Sequence, residues 1–93
     1  MSIRLEKPTP KYECLVSLNK ARRRFAIKPA TTGYGPQLEA ICDGLGTLEE
    51  GTTMGFPNEY LLTVENQFFN MDEVGEWLNQ ELNGLFNGRV RWN

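Results

Sequence analysis

Histidine is absent from this 93-residue chain. That removes Ser-His-Asp and Cys-His nucleophilic machinery and the common zinc sites that use imidazole. It also removes the side chain best suited to moving protons near neutral pH. Cysteine is nearly as scarce: Cys14 and Cys42 stand 28 positions apart and form no paired motif. They read as small buried hydrophobes, not as a disulfide or a metal pair. No apolar run approaches the ~20 residues that a membrane-spanning helix requires. The opening stretch MSIRLEKPTPK carries charge without an apolar segment. The expectation is therefore no export signal and a cytoplasmic address.

A third absence is regional. Between residues 33 and 87 there is no lysine or arginine, against ten acids. Residues 1–32 hold eight basic groups and only Glu6 and Glu13 as acids, and Arg89 and Arg91 follow near the C-terminus. A formal net charge of −2 thus conceals a bipolar chain. Segregation of this kind predicts a surface with two poles of opposite sign, provided the fold keeps the segments apart.

What is present fits one α+β domain over residues 1–93, with 1–11 an extended or partly flexible segment because Pro8 and Pro10 exclude a helix there. Tyr12, Cys14, Val16 and Leu18 alternate as one face of a strand. The stretch NKA at 19–21 makes a short connection, with Asn19 the residue suited to a left-handed turn position. Phe25 and Ile27 then face one side of a second strand, while Arg22, Arg24 and Lys28 face the other. Pro29 ends this strand or marks it as an edge, where charged side chains would blunt aggregation. Pro36 suits a helix start, and Leu38, Ile41, Cys42 and Leu45 have helical spacing. Residues 47–58 read as irregular, anchored by Leu48, Met54 and Phe56. Residues 59–65 read as a strand with Tyr60, Leu62 and Val64 on one face.

A second helix is the best-specified element. Asn70 caps it, Glu73 is placed to complete a capping box, and Val74, Leu78, Leu82 and Leu85 form the buried stripe, with Met71 alongside and Trp77 at its margin. Gly75 costs about 1 kcal/mol relative to alanine inside a helix, so it marks a close approach to the sheet. The sequence RVRW closes the chain as a short strand. The predicted order is β-β-α-β-α-β, a two-layer domain with a mainly antiparallel sheet of about four strands and two helices on one face. Its expected core is Val16, Phe25, Ile27, Ile41, Leu62, Val64, Val74, Leu78 and Leu82.

Two constellations could carry a function. On the outer side of the second helix, Asp72, Glu73, Glu76, Asn79, Gln80 and Asn83 form an acidic and polar face with no basic residue in helical reach. The helix dipole favours acids in the first turn by ~0.3–1 kcal/mol each, but it does not explain ten acids without a base. This face predicts docking on another protein with a basic surface. The alternative is a nucleic-acid-binding module in which Arg22, Arg24 and Lys28, joined by Arg89 and Arg91, hold phosphates. Against that stand an isoelectric point near 5.1 and the lack of aromatic residues on the arginine face for base stacking. The stretch GLGTLEEG at 44–51 follows a helix and carries two acids, so it is not a phosphate loop. No catalytic triad, metal set or cofactor motif is visible, which predicts a non-enzyme without metal or cofactor. Such a small bipolar protein would suit an accessory or inhibitory role in a phage or other mobile element. An unpaired RVRW edge would also permit a two-fold homodimer.

Overall fold

A computed structural model describes residues 12–51 and 58–93. The expected N-terminal extension and the anchors Met54 and Phe56 fall outside those residues. The described elements are β1 (Cys14–Asn19), β2 (Arg24–Pro29), α1 (Gly35–Cys42), β3 (Thr47–Glu50), β4 (Tyr60–Thr63), α2 (Met71–Leu85) and β5 (Val90–Trp92). They build a five-stranded sheet in the order β3-β4-β2-β1-β5. All neighbours are antiparallel except β1 and β5, which run parallel. The predicted α+β class is thus observed with one strand more than expected.

The extra strand is β3. Thr47–Glu50 has little local signal, with two adjacent glutamates and a single apolar residue, and it becomes a strand by pairing Leu48 with Leu62 of β4. Gly46 sets that approach, because a Cβ there would overlap the carbonyl of Thr63.

Register determines the two faces of the sheet. Val16 lies opposite Ile27 and Trp92, and Phe25 lies opposite Leu62 and Leu18. These rows face the helices. Both helices contribute to the same core, through Leu38 and Cys42 of α1 and Met71, Val74, Leu78 and Leu82 of α2. Phe86, just past α2, is also fully buried and its ring lies 4.6 Å from that of Tyr34. Of the expected core, Ile41 alone is only partly buried, packing against the cluster from the edge of the short α1. Leu85 is likewise half-buried, and the stripe continues instead to Phe86. Cys14 and Cys42 are buried free thiols.

α2 starts where its cap predicts. The Asn70 side-chain oxygen accepts hydrogen bonds from the backbone N–H groups of Asp72 at 2.9 Å and Glu73 at 3.1 Å. These satisfy two donors that the first turn leaves open. The return bond from Glu73 that would complete a capping box is not made among the described residues. Gly75 faces the sheet, but the approach is not close enough to require glycine: a Cβ there would sit 3.6 Å from Cε1 of Phe25, an ordinary contact distance.

β2 is not an edge strand. It pairs with β4 on one side and β1 on the other, so edge protection does not explain its arginines. Pro29 is tolerated because it is the last residue of the strand, beyond the β4 pairing.

Candidate charged interface

The run of three arginines separates in three directions. Arg22 lies exposed in the β1–β2 turn, where its N–H donates to the Asn19 side chain at 3.2 Å. Arg23, and not Asn19, takes the left-handed conformation, with φ 52°. This reversal swings the Arg23 guanidinium towards the segment that precedes α2. Its Nε donates to the carbonyl of Val64 at 3.1 Å, and Nη2 donates to those of Asn66 at 2.8 Å and Phe69 at 2.7 Å. Arg23 is therefore a structural clamp. Arg24 points to the helix-free face of the sheet, where its Nε donates to Thr63 Oγ1 at 3.3 Å.

That open face carries the basic candidates. Register puts Arg24, Ala26 and Lys28 of β2 in rows with Thr63, Leu61, Ser17 and Leu15, and Arg91 lies opposite Leu15. The middle of the face is thus Leu15, Ser17, Ala26 and Leu61, without an aromatic ring. Part of its positive charge is already met, while Arg24 and Arg91 make no ion pair among the described residues. Lys28 Nζ lies 3.9 Å from Glu59 Oε2, and Arg89 lies 3.6 Å from Glu13. Glu59 is itself buried, at 7% exposure, and its second carboxylate oxygen lacks a hydrogen-bond partner among the described residues.

The other layer is acidic throughout. The described helices bear Glu39, Asp72, Glu73, Glu76 and Glu81 and no basic residue. All five are exposed. The helix layer is thus acidic, but the sheet is mixed: Glu49 and Glu50 of β3, and Glu59 and Glu65 on either side of β4, come from the base-free segment and lie within it, so the fold keeps the two poles apart only in part.

Within the acidic face the residues divide. Glu73, Glu76 and Gln80 project into solvent, and neither glutamate makes an ion pair among the described residues. Asp72 does have a basic neighbour: Lys20, from the β1–β2 turn, places Nζ 3.1 Å from its Oδ1. Both side chains are more than half exposed, so this pair contributes at most about 1 kcal/mol. Asn79 and Asn83 face the sheet edge, not open solvent. Trp92 Nε1 donates to Asn79 Oδ1 at 2.7 Å, and the Asn83 amide donates to Asn79 Oδ1 at 2.9 Å and to its carbonyl at 2.8 Å. Asn79 thus fastens β5 to α2, and Asn83 braces Asn79 from one turn on.

Sequence reading missed two features. One is Phe68, 96% exposed at the tip of the segment that Arg23 holds. Its N–H donates to the side chain of Asn66 at 2.9 Å, an Asx turn that fixes the tip. Its neighbour Phe69, at the hydrophobic-staple position relative to Val74, is the ring that packs inward against the core, as the sequence predicts. The other is an open groove of about 440 Å³ between α2 and the β1–β5 side of the sheet. Leu18, Met71, Gly75 and Trp92 form its apolar part, and Asp72, Glu76 and Asn79 its polar wall.

Among the described residues no group of three or more His, Cys, Asp or Glu is placed to hold a metal ion. No described helix is long and apolar enough to cross a membrane. No protein family, curated protein or solved structure matches the chain.

Proposed function

We propose that this chain is a non-catalytic domain that docks on a basic surface of another protein through the acidic face of α2. The observation that carries the proposal is the unequal satisfaction of the two poles. On the open sheet face, Lys28 and Arg89 have carboxylates nearby, Arg24 donates to the neutral Thr63 hydroxyl, and exposed Arg91 makes no ion pair among the described residues. On α2, Glu73 and Glu76 stand exposed without a countercharge among the described residues. An unneutralised acidic field steers a basic partner towards it and discriminates against acidic ones. Phe68, 96% exposed beside the helix start with its backbone N–H held by Asn66, adds an apolar contact of the kind that anchors protein interfaces.

The rival is nucleic-acid binding by Arg24, Lys28 and Arg91, which share the open face. Fluorescence anisotropy with single- and double-stranded oligonucleotides at two salt concentrations separates the readings. Docking through α2 predicts no appreciable oligonucleotide binding. Tight, salt-dependent binding that disappears in Arg24→Glu/Arg91→Glu would overturn it, since phosphate contacts carry a steep salt dependence.

A further inference from the structure

We infer that the groove between α2 and the β1–β5 side of the sheet receives a single arginine or lysine side chain of the docked protein. This rests on the docking reading above and specifies where the contact is made. Leu18, Met71 and Trp92 give the groove an apolar bed, and Asp72 and Glu76 stand at its wall. A long basic side chain matches both parts: its methylenes cover apolar surface while its cationic end remains among carboxylates and water. An acidic side chain would meet two like charges, and a purely aliphatic one would offer nothing to Glu76, which has no ion partner among the described residues.

Three features show that the groove is open to such an occupant. Gly75 lines it, and the missing Cβ leaves the helix wall low at that point, above the fully buried Phe25 ring, 3.6 Å from where that carbon would lie. Nothing in the local packing demands glycine there, since an alanine would make only ordinary contact. The helix nevertheless keeps a residue that weakens it. Lys20 already reaches Asp72 across the solvent at 3.1 Å, which shows that this carboxylate accepts an ammonium group from another element. That exposed pair is readily exchanged, whereas Glu76 has no ion partner among the described residues. The Trp92 indole is fixed in place by Asn79 at 2.7 Å and by edge-on contact with Phe25, ring centroids 6.1 Å apart. A preset ring needs no ordering when a guanidinium or a methylene chain packs on it.

The probe is the capped peptide Ala-Leu-Arg-Arg-Leu-Ala, with Ala-Leu-Glu-Glu-Leu-Ala as control, titrated into the isotopically labelled full chain and followed by two-dimensional amide NMR. The expected result is salt-sensitive binding of the arginine peptide alone, with the largest shifts at Leu18, Gly75, Glu76 and the Trp92 indole N–H. Asp72→Asn/Glu76→Gln should weaken it by about threefold to tenfold, the equivalent of one or two exposed ion pairs. Gly75→Ala should weaken it as well while raising the thermal midpoint, a combination that a merely structural glycine would not give. Shifts confined to Glu73 and Gln80 would overturn the groove and leave docking through α2 intact. Binding centred on the open sheet face would overturn both, and absence of any arginine-peptide binding would overturn the groove. Unchanged affinity in both variants would overturn it as well.

Discussion

Replacement of Arg23 tests the clamp that orients the start of α2. Its guanidinium makes three hydrogen bonds to carbonyls 41 to 46 residues away in sequence, two of them partly buried and one exposed. Bonds involving a charged group contribute ~1.5–3 kcal/mol each when shielded, and much less at the surface. With the exposed Asn66 contact discounted, Arg23→Ala should cost about 2–4 kcal/mol. The backbone adds a second, opposite effect. Arg23 sits at φ 52°, a region that costs a residue with a Cβ roughly 1 kcal/mol and glycine almost nothing. Arg23→Gly loses the same three bonds but relieves that strain, so it should be about 1 kcal/mol more stable than Arg23→Ala. The usual order, in which glycine is the more destabilising, is reversed. Urea unfolding of the three proteins, with equal m-values, gives both differences. The wild-type advantage should also be nearly independent of salt, because the acceptors are carbonyls and not carboxylates. A loss below about 0.5 kcal/mol for Arg23→Ala, or Arg23→Ala more stable than Arg23→Gly, would refute the clamp.

Three further outcomes are expected. Leu78 is fully buried, so Leu78→Ala should cost ~2–5 kcal/mol in chemical denaturation; a loss under about 1 kcal/mol would mean that α2 packs by another face. Burial pushes the Cys14 thiol from 9.0 up to about 12 and the Cys42 thiol from 9.0 up to about 11. These groups hold their protons more tightly folded than unfolded. Stability should therefore be unaffected below pH 9 and fall as pH rises from 9 towards 11 and 12. Tyr60, raised by burial and by the charges of Glu50 and Glu39, acts in the same direction. An alkaline unfolding series checks the slope, and stability that rises over this window would contradict it. Finally, among the described residues β5 is an edge strand, and its outer side should support a weak two-fold dimer. Sedimentation equilibrium showing monomer alone at high micromolar concentration would remove that expectation.

Legibility of the fold in the sequence followed how local each cause was. The start of α2 is written within four residues, from Asn70 to Glu73, and its buried stripe repeats at helical spacing. Both are visible without knowledge of the rest of the chain. β1 and β2 show alternation and pair with each other across a short turn. β3 had no comparable signal, because Thr47–Glu50 is a strand only through β4, and the central place of β2 depends on the same long-range pairing. Pro29 ends β2, the first of its two sequence readings, and does not mark an edge, since a proline at the last position of a strand has no need of one.

The candidate site divides in the same way. The acidic character of α2 and the alternation of Arg24 and Lys28 could be read from residue type and period. The diversion of Arg23 could not, because its acceptors lie on a distant segment and its left-handed backbone goes against the preference of arginine. Asn79 looked like a surface polar residue because its partner, Trp92, arrives from another element, and Asn83 is turned inward by its bonds to Asn79. Lys20 reached Asp72 for the same reason. The groove arises from three separate elements and has no signature in any one of them, apart from the unexplained glycine at 75.

The central claim is that the acidic layer, not the basic one, is the contact surface. Quantitative capture from the source cell's lysate tests it most directly, using three immobilised baits: the wild-type chain, Glu73→Lys/Glu76→Lys, and Arg24→Glu/Arg91→Glu. Both variants change exposed or half-exposed residues, so all three baits should show the same thermal unfolding to within a few degrees. The account predicts one protein enriched by the wild type in a salt-sensitive manner, retained by the sheet-face variant and lost by the helix variant. Retention by the helix variant together with loss by the sheet-face variant would contradict the account, and would make Arg24 and Arg91 the functional surface.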